Sequence, residues 1–239
     1  SRGSQLALIQ SELVATEIKQ LSPHLEINIT KITTKGDRDR HTPLDRLAGV
    51  GIFVKELEEA LIDGQIDLAV HSLKDMPTEI PQGLSLAAVT ERSDPRDVLV
   101  SSMGKLAELA PGSRIGTGSL RRAAQLTACR PDLEVSSIRG NVDTRLKKVA
   151  DGEFDGVILA AAAMIRLGWE DKISEYLSVE DFLPAVGQGA LVVETRSDDE
   201  ETNGLISPIN HQPTGQSVTA ERAFLSTLGG SCRTPMAAL

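Results

Sequence analysis

Short apolar runs alternate along this chain with helix-length amphipathic stretches, and that alternation limits the folds open to it more than any other feature. Runs at 66–70, 84–89, 97–100, 154–159 and 191–193 are strand-like, and 25–32 alternates apolar and polar residues as a half-buried strand would. The stretches between them carry helix ends. Ser4 is an N-cap ahead of an apolar face of Leu6, Ile9, Leu13, Val14, Ile18 and Leu21, and Ser22-Pro23 stops that helix. A helix over 53–62 ends before Gly64, one over 120–129 starts after Ser119, and one over 141–150 is capped by Asn141 and closed by Gly152. Helices between strands imply an α/β protein with a parallel or mixed sheet.

With 239 residues the chain is long enough for one or two domains. Two breaks stand out: Glu91-Arg92-Ser93-Asp94-Pro95-Arg96-Asp97, and the small-residue segment Leu183-Pro184-Ala185-Val186-Gly187-Gln188-Gly189-Ala190. They suggest domain 1 over 1–91 and 190–212, with domain 2 over 92–189 inserted into it and both breaks able to hinge. The polar stretch 197–215 reads as a linker before a helix at 218–228. The charged stretch 35–51 reads as a long loop, either a lid or plain disorder.

The net charge is −9, yet arginine is concentrated locally. Gly116-Thr117-Gly118-Ser119-Leu120-Arg121-Arg122 and Ser137-Ile138-Arg139-Gly140-Asn141-Val142-Asp143-Thr144-Arg145 share one construction, a β-like run, a loop of small residues and a helix start. Helix N-termini attract anions, and guanidinium groups bind carboxylates or phosphates in a bidentate manner. Taken singly, Arg121, Arg122 and Arg145 read as solvated helix charges. As a set beside such loops they read as a site for a small polyanion. An acidic chain with 3% aromatic residues supplies neither a basic footprint nor a stacking platform for nucleic acid. The longest apolar run, 157–165, is too short to cross a membrane. Two cysteines and no legible secretory signal point to a reducing, cytoplasmic setting.

His71-Ser72-Leu73-Lys74-Asp75-Met76-Pro77 follows an apolar strand, at the end where open α/β sheets bind ligands. Asp75 could stabilise a cation developing on a substrate, with Lys74 beside it. Alone the pair reads as an exposed turn, and His71 as a strand-end hydrogen-bonding residue rather than a base. The four histidines show no metal-ligand spacing, so no metal is expected. Cys129 lies among Ala and Leu and reads as a structural thiol. Cys232, in Gly229-Gly230-Ser231-Cys232-Arg233, sits where a ligand can approach closely and Arg233 could lower its pKa.

Together with Asp94-Pro95-Arg96-Asp97 and Pro184-Ala185-Val186-Gly187-Gln188-Gly189-Ala190, these segments resemble the porphobilinogen deaminase (hydroxymethylbilane synthase) family, in its order and across nearly the whole chain. The resemblance implies two lobes like those of a periplasmic-type anion-binding protein, followed by an α+β third domain. Residues 213–239 would be the start of that domain, with the first strand and much of the third domain outside this sequence. It implies a dipyrromethane cofactor thioether-linked to Cys232, Asp75 as catalytic carboxylate, and Arg2, Ser4, Lys74, Arg121, Arg122, Arg139 and Arg145 as contacts to cofactor or substrate. Thr117, Ser119 and Gln188 are implied as supporting contacts.

The implied activity joins four porphobilinogen units, with loss of ammonia, into hydroxymethylbilane for tetrapyrrole and heme biosynthesis. A monomer is usual in the family, and uroporphyrinogen-III synthase is the downstream partner. Two departures are visible: Val50 stands where the family has Lys, and Gly118 where it has Ser. The rival reading is a non-enzymatic two-lobed carrier of small carboxylates, which gives Cys232 no role. An Ehrlich colour test for a bound dipyrromethane separates the two.

Overall fold

The computed structural model describes residues 1–34, 36, 53–230 and 234–239. The 35–51 loop (Gly36 apart), Val50 within it, and Cys232 with Arg233 therefore lie outside the described residues. Along the chain come α1 (Gln5–Leu21), α2 (Lys55–Ile62), β1 (Leu68–Ser72), β2 (Leu84–Val89), β3 (Asp97–Ser101), β4 (Arg114–Gly116), α3 (Leu120–Cys129) and β5 (Glu134–Ser136). They are followed by α4 (Val142–Ala150), β6 (Gly156–Ala160), α5 (Ala161–Arg166), β7 (Glu175–Tyr176), β8 (Leu191–Arg196), α6 (Glu200–Ile206) and α7 (Gln212–Thr227). The described residues form two compact units. Among those residues, the first draws on 1–34, 36, 53–93 and 190–230, the second on 94–189 and 234–239.

The first unit is built on a three-stranded antiparallel sheet in the order β1-β8-β2. β8 is central and buried on both faces, which explains its unbroken apolar start. Leu191 and Val193 pack with Val14 and Ile18 of α1 and with Val70, Ala88, Ile206 and Ile209. Val192 faces the other way, with Val54, Leu73, Met76 and Val218 of α7. Beside it, Leu57 and Leu61, one turn apart on α2, cover Ala69 and Leu84.

The second unit holds a five-stranded mixed sheet in the order β5-β4-β6-β3-β7. β4 runs parallel to β5 and β6, whereas β3 is antiparallel to β6 and β7. Alternate residues of β3 and β6 fill opposite layers: Leu99 and Ile158 meet Ile115, Leu126 and Phe182, while Val98, Val100, Val157 and Leu159 meet Ile138 and Met164.

Three readings of the sequence need correction. Residues 25–32 form no strand; their pairing is a single parallel bridge, Arg2 to Ile32. Leu25 and Ile27 do pack against the α1 core, which is why the pattern alternates, but alternation alone supplies no ladder partner. Residues 197–215 are not a linker. Asp199 caps α6 by accepting from Thr202 N at 3.0 Å, and Ile206 and Ile209 are core residues. Asn141 occupies the N-cap position of α4 without a side-chain cap hydrogen bond. By contrast, Ser4 caps α1 and Ser119 caps α3 through their hydroxyls, and Gly64 and Gly152 follow α2 and α4 with φ of 68° and 75°.

Candidate active site

In the first unit, β1 ends at Ser72 and the chain tightens into a 3₁₀ turn over Leu73–Asp75. Leu73 and Met76 are buried in the core and Leu73 N donates to Ala190 O at 3.0 Å, so Lys74 and Asp75 between them are held half-buried at the strand end. Arg222 of α7 braces the exit, donating to Pro77 O at 2.7 Å and Thr78 O at 3.2 Å. Asp75 lines a crevice of about 30 Å³ with Arg2, Gln10, Phe53, His71 and Ser72. Arg2 stacks over the Phe53 ring at 4.1 Å, and Gln10 donates to the Ser72 hydroxyl at 2.9 Å. Ser4 accepts from Ala7 N at 3.3 Å, so its hydroxyl serves the α1 N-cap.

This crevice has room for a water or two, not for a pyrrole. The unit's larger cavity, about 580 Å³, runs between α1, residues 25–30 and the outer edge of β1, and none of the sequence-derived site residues lines it. Size therefore does not mark the chemistry here.

In the second unit, Thr117 is buried and bonds Ser136 O through its own N–H, while its hydroxyl accepts from Ser119 N at 3.2 Å. That arrangement starts α3, whose first turn carries Arg121 and Arg122. Neither is a solvated surface charge; they are 5% and 6% exposed. Nor are they free cations. Arg121 Nη2 lies 2.7 Å from Asp97 Oδ2, and Arg122 Nη2 lies 2.6 Å from Asp97 Oδ1. Arg121 also donates to Leu183 O, and Arg122 to Ile158 O at 3.2 Å. Gln188, fully buried, donates to Asp97 Oδ1 at 2.8 Å and Pro95 O at 2.7 Å. Burial works to raise the Asp97 pKa, but Arg122, Arg121 and the Gln188 hydrogen bond hold it below the ordinary carboxylate value.

One carboxylate against two guanidinium groups leaves a surplus positive charge in this network. Arg139 and Arg145 stand half-buried around the start of α4, with Arg145 Nε donating to Gly140 O at 2.8 Å. Gly140, at φ 110°, allows that turn. The sequence reading missed three residues here. Asp97 organises the pair, although it stood in plain sight within Asp94-Pro95-Arg96-Asp97. Arg166, at the end of α5, donates to Gly189 O at 2.7 Å, and burial pushes its pKa down to about 10, as befits a cation that an incoming anion would relieve. The third, Glu194, belongs to the first unit, where its Oε2 lies 3.0 Å from His71 Nε2. Cys129, read as a structural thiol, is exposed at the end of α3. Among the described residues, no group of three His, Cys, Asp or Glu could hold a metal ion, and no helix is long and apolar enough to cross a membrane.

Residues 1–204 match the family described as porphobilinogen deaminase, dipyromethane cofactor binding domain. The chain belongs to the porphobilinogen deaminase family. Relatives named porphobilinogen deaminase agree: the protein of Syntrophus aciditrophicus is 49% identical over 239 residues, covering all of this chain and 78% of the relative. That of Geobacter metallireducens is 51% identical over 238 residues, covering all of this chain and 75% of its own. In fold the chain is similar to a periplasmic substrate-binding protein of an ABC transporter from Coxiella burnetii, at TM-score 0.51 and 16% identity over 90% of this chain and 93% of that one. It is also similar to a putative methionine-binding lipoprotein from Bacillus subtilis, at TM-score 0.50 and 12% identity over 84% and 86%. The α/β class and the two-lobed periplasmic-binding-protein kind of fold follow.

The family's cofactor is a dipyrromethane, an aromatic dipyrrole bearing several carboxylates. Side chains of each unit, taken by itself, suit such a group: in the second a buried arginine pair in charge surplus and the half-buried Arg166, which donates to a carbonyl, and in the first a carboxylate at a strand end able to accept pyrrole N–H groups.

Proposed function

We propose that this chain deaminates porphobilinogen and joins four units of it head to tail into hydroxymethylbilane, with Asp75 as the catalytic carboxylate. The observation that carries the assignment is the Asp75 turn, which holds one half-buried carboxylate rigidly at the end of β1 beside Arg2. Porphobilinogen carries an acetate, a propionate and an aminomethyl group. As its C–N bond breaks, ammonia leaves with the bonding pair and the ring becomes an electron-poor azafulvene. Asp75 offsets the positive charge spreading over the ring and accepts the pyrrole N–H, an electrostatic role. A carbon–carbon bond then forms and the α-proton is lost.

When bound, the dipyrromethane supplies the free α-carbon on which the chain of pyrroles begins. Cys232 is the residue that would hold it through a thioether. Arg121, Arg122, Arg139, Arg145 and Arg166 bind carboxylates, helped by Arg2 and Lys74, while Thr117, Ser119 and Gln188 fix the arginines in place. In this reading 1–91 with 190–212 is domain 1, 92–189 is domain 2, and 213–239 begins domain 3. The enzyme is a cytoplasmic monomer that binds neither nucleic acid nor membrane, and its product passes to uroporphyrinogen-III synthase.

The test is to incubate the purified holoprotein with porphobilinogen and measure ammonia together with hydroxymethylbilane. Release of ammonia in step with product supports the assignment; binding without ammonia overturns it in favour of a carrier.

A further inference from the structure

The turn that carries Asp75 is held by a helix far along the chain. α7 belongs to the first unit, and its buried residues Thr214, Val218, Glu221 and Leu225 recur at helical spacing on one face. Polar contacts secure that face along its length. His211 N, at the helix start, donates to Val89 O at 2.8 Å, and the Thr214 hydroxyl accepts from Arg92 N at 3.1 Å. Further along, Glu221 Oε1 lies 2.5 Å from Arg92 Nη1. α7 is therefore anchored at several points rather than a fraying segment.

Two of its residues meet the Asp75 turn. Val218 packs in one core cluster with Leu73 and Met76, the buried residues on either side of Lys74 and Asp75. Arg222 stands one turn further along the same side of the helix. Its Nη2 donates to Pro77 O at 2.7 Å and to Thr78 O at 3.2 Å, so one nitrogen commits both of its N–H groups to the exit of the turn. Within the turn Met76 N donates to Leu73 O at 3.0 Å, but Pro77 has no N–H with which to continue the series. Arg222 fixes the exit where the backbone has no donor of its own. The guanidinium is half-buried against these neutral carbonyls, and burial holds its pKa below the ordinary arginine value. A buried cation is a costly way to brace a loop, which points to a use beyond bracing.

We propose that Arg222 is a positioning residue for the deaminase reaction: by holding the Pro77 and Thr78 carbonyls it sets where the Asp75 carboxylate points. The proposal rests on Asp75 being the catalytic carboxylate. A carboxylate displaced by a fraction of an ångström stabilises the charge developing on the ring less well. The substrate's own carboxylates are bound by other residues and are held as before. Loss of Arg222 therefore falls on kcat and spares KM.

The test is a double-mutant cycle on the holoprotein, reading single-turnover ammonia release per cofactor-loaded molecule in Arg222→Met, Asp75→Asn and the two combined. Arg222→Met keeps the apolar stem and removes the donors. It should slow ammonia release by roughly 10- to 100-fold, with KM near the parent value. In the Asp75→Asn background the same substitution should cost only about twofold, because no charge is left to misplace. Arg222→Lys keeps a charged donor and should recover part of the lost rate. If Arg222→Met does not fold, Arg222→Gln, whose shorter side chain ends before the two carbonyls, takes its place in the cycle. Ammonia release at the parent rate in the Arg222 variant overturns the proposal whatever its urea midpoint, since Arg222 would then serve stability alone. An equal fold-loss in both backgrounds overturns it as well. Parent-rate release by Asp75→Asn would instead overturn the assignment of Asp75, a distinct outcome because that variant is read with Arg222 intact.

Discussion

Asp97 Oδ1 accepts from both Nε and Nη2 of Arg122, at 3.0 and 2.6 Å, so one oxygen takes a whole edge of the guanidinium. The second oxygen, Oδ2, is left to Arg121. This division makes the arginine pair a prearranged unit. Its groups are fixed by the protein's own acid, so in the proposed function an anionic ligand would meet the surplus charge without first having to order two long side chains.

Asp97→Asn should therefore damage the second unit itself. The amide keeps the shape but leaves two buried guanidinium groups without a counter-charge. Loss of one partner from a buried charge cluster costs on the order of 3–5 kcal/mol. Urea unfolding should show a lower midpoint, with cofactor content falling alongside. The pH sign follows from the depressed Asp97 pKa. Its stabilisation is complete above the ordinary carboxylate value and is lost as acid carries the pH down through the folded value. The parent should have an acid limb of stability that Asp97→Asn lacks. Parent-like stability at neutral pH in the variant would contradict the account.

Glu58 carries the opposite sign. Its folded pKa is raised from 4.5 to about 7, so the native state holds a proton that the unfolded chain has given up. Stability should be highest below pH 4.5 on this account alone, fall between 4.5 and 7, and then level off. The full drop is at most about 3 kcal/mol, and less with relaxation of the site. Glu58→Gln removes it, so the variant should gain on the parent as pH rises from 5 to 8. Parallel urea-midpoint curves for the two proteins would show that Glu58 is not the group responsible.

The cysteines make a third case. Cys129 is exposed and chemically available, yet the function proposed above has Cys232 carry the dipyrromethane. Peptide mass mapping of protein made in cells that supply porphobilinogen should find the adduct on the Cys232 peptide and an unmodified Cys129. Cys232→Ser should lack it altogether. An adduct on Cys129, or full activity with Cys232 unmodified, would rule the assignment out.

What the sequence made legible was local. Ser4, Ser119, Gly64 and Gly152 announce helix ends because capping and positive φ depend on near neighbours. The 120–129 and 84–89 elements were read at their observed bounds for the same reason. The family motifs pointed to Asp75 and to the arginines. Partnership was not legible. Residues 25–32 have the alternation of a strand but no ladder, and 197–215 looks polar although Ile206 and Ile209 anchor it in the core. Arg122 meets Asp97 across 25 positions, and His71 meets Glu194 across 123. Such contacts are set by sheet order, which no short window of sequence contains.

Asp75→Asn tests the chemistry most directly. Leu73 and Met76 anchor the turn from either side, and the Arg222 bonds to Pro77 and Thr78 do not involve the Asp75 carboxylate. The variant should therefore fold, with the turn in place. The amide keeps the shape and an acceptor for pyrrole N–H, but it cannot offset a full positive charge as ammonia departs. The loss of a preorganised electrostatic group is typically on the order of 100-fold or more in kcat. Asp75→Glu keeps the charge and should retain more activity than the amide, its defect arising from geometry. Single-turnover ammonia release by both variants, with cofactor content and unfolding midpoints matched to the parent, separates a chemical role from a structural one. Ammonia released by Asp75→Asn at the parent rate would show that the positive charge is stabilised elsewhere.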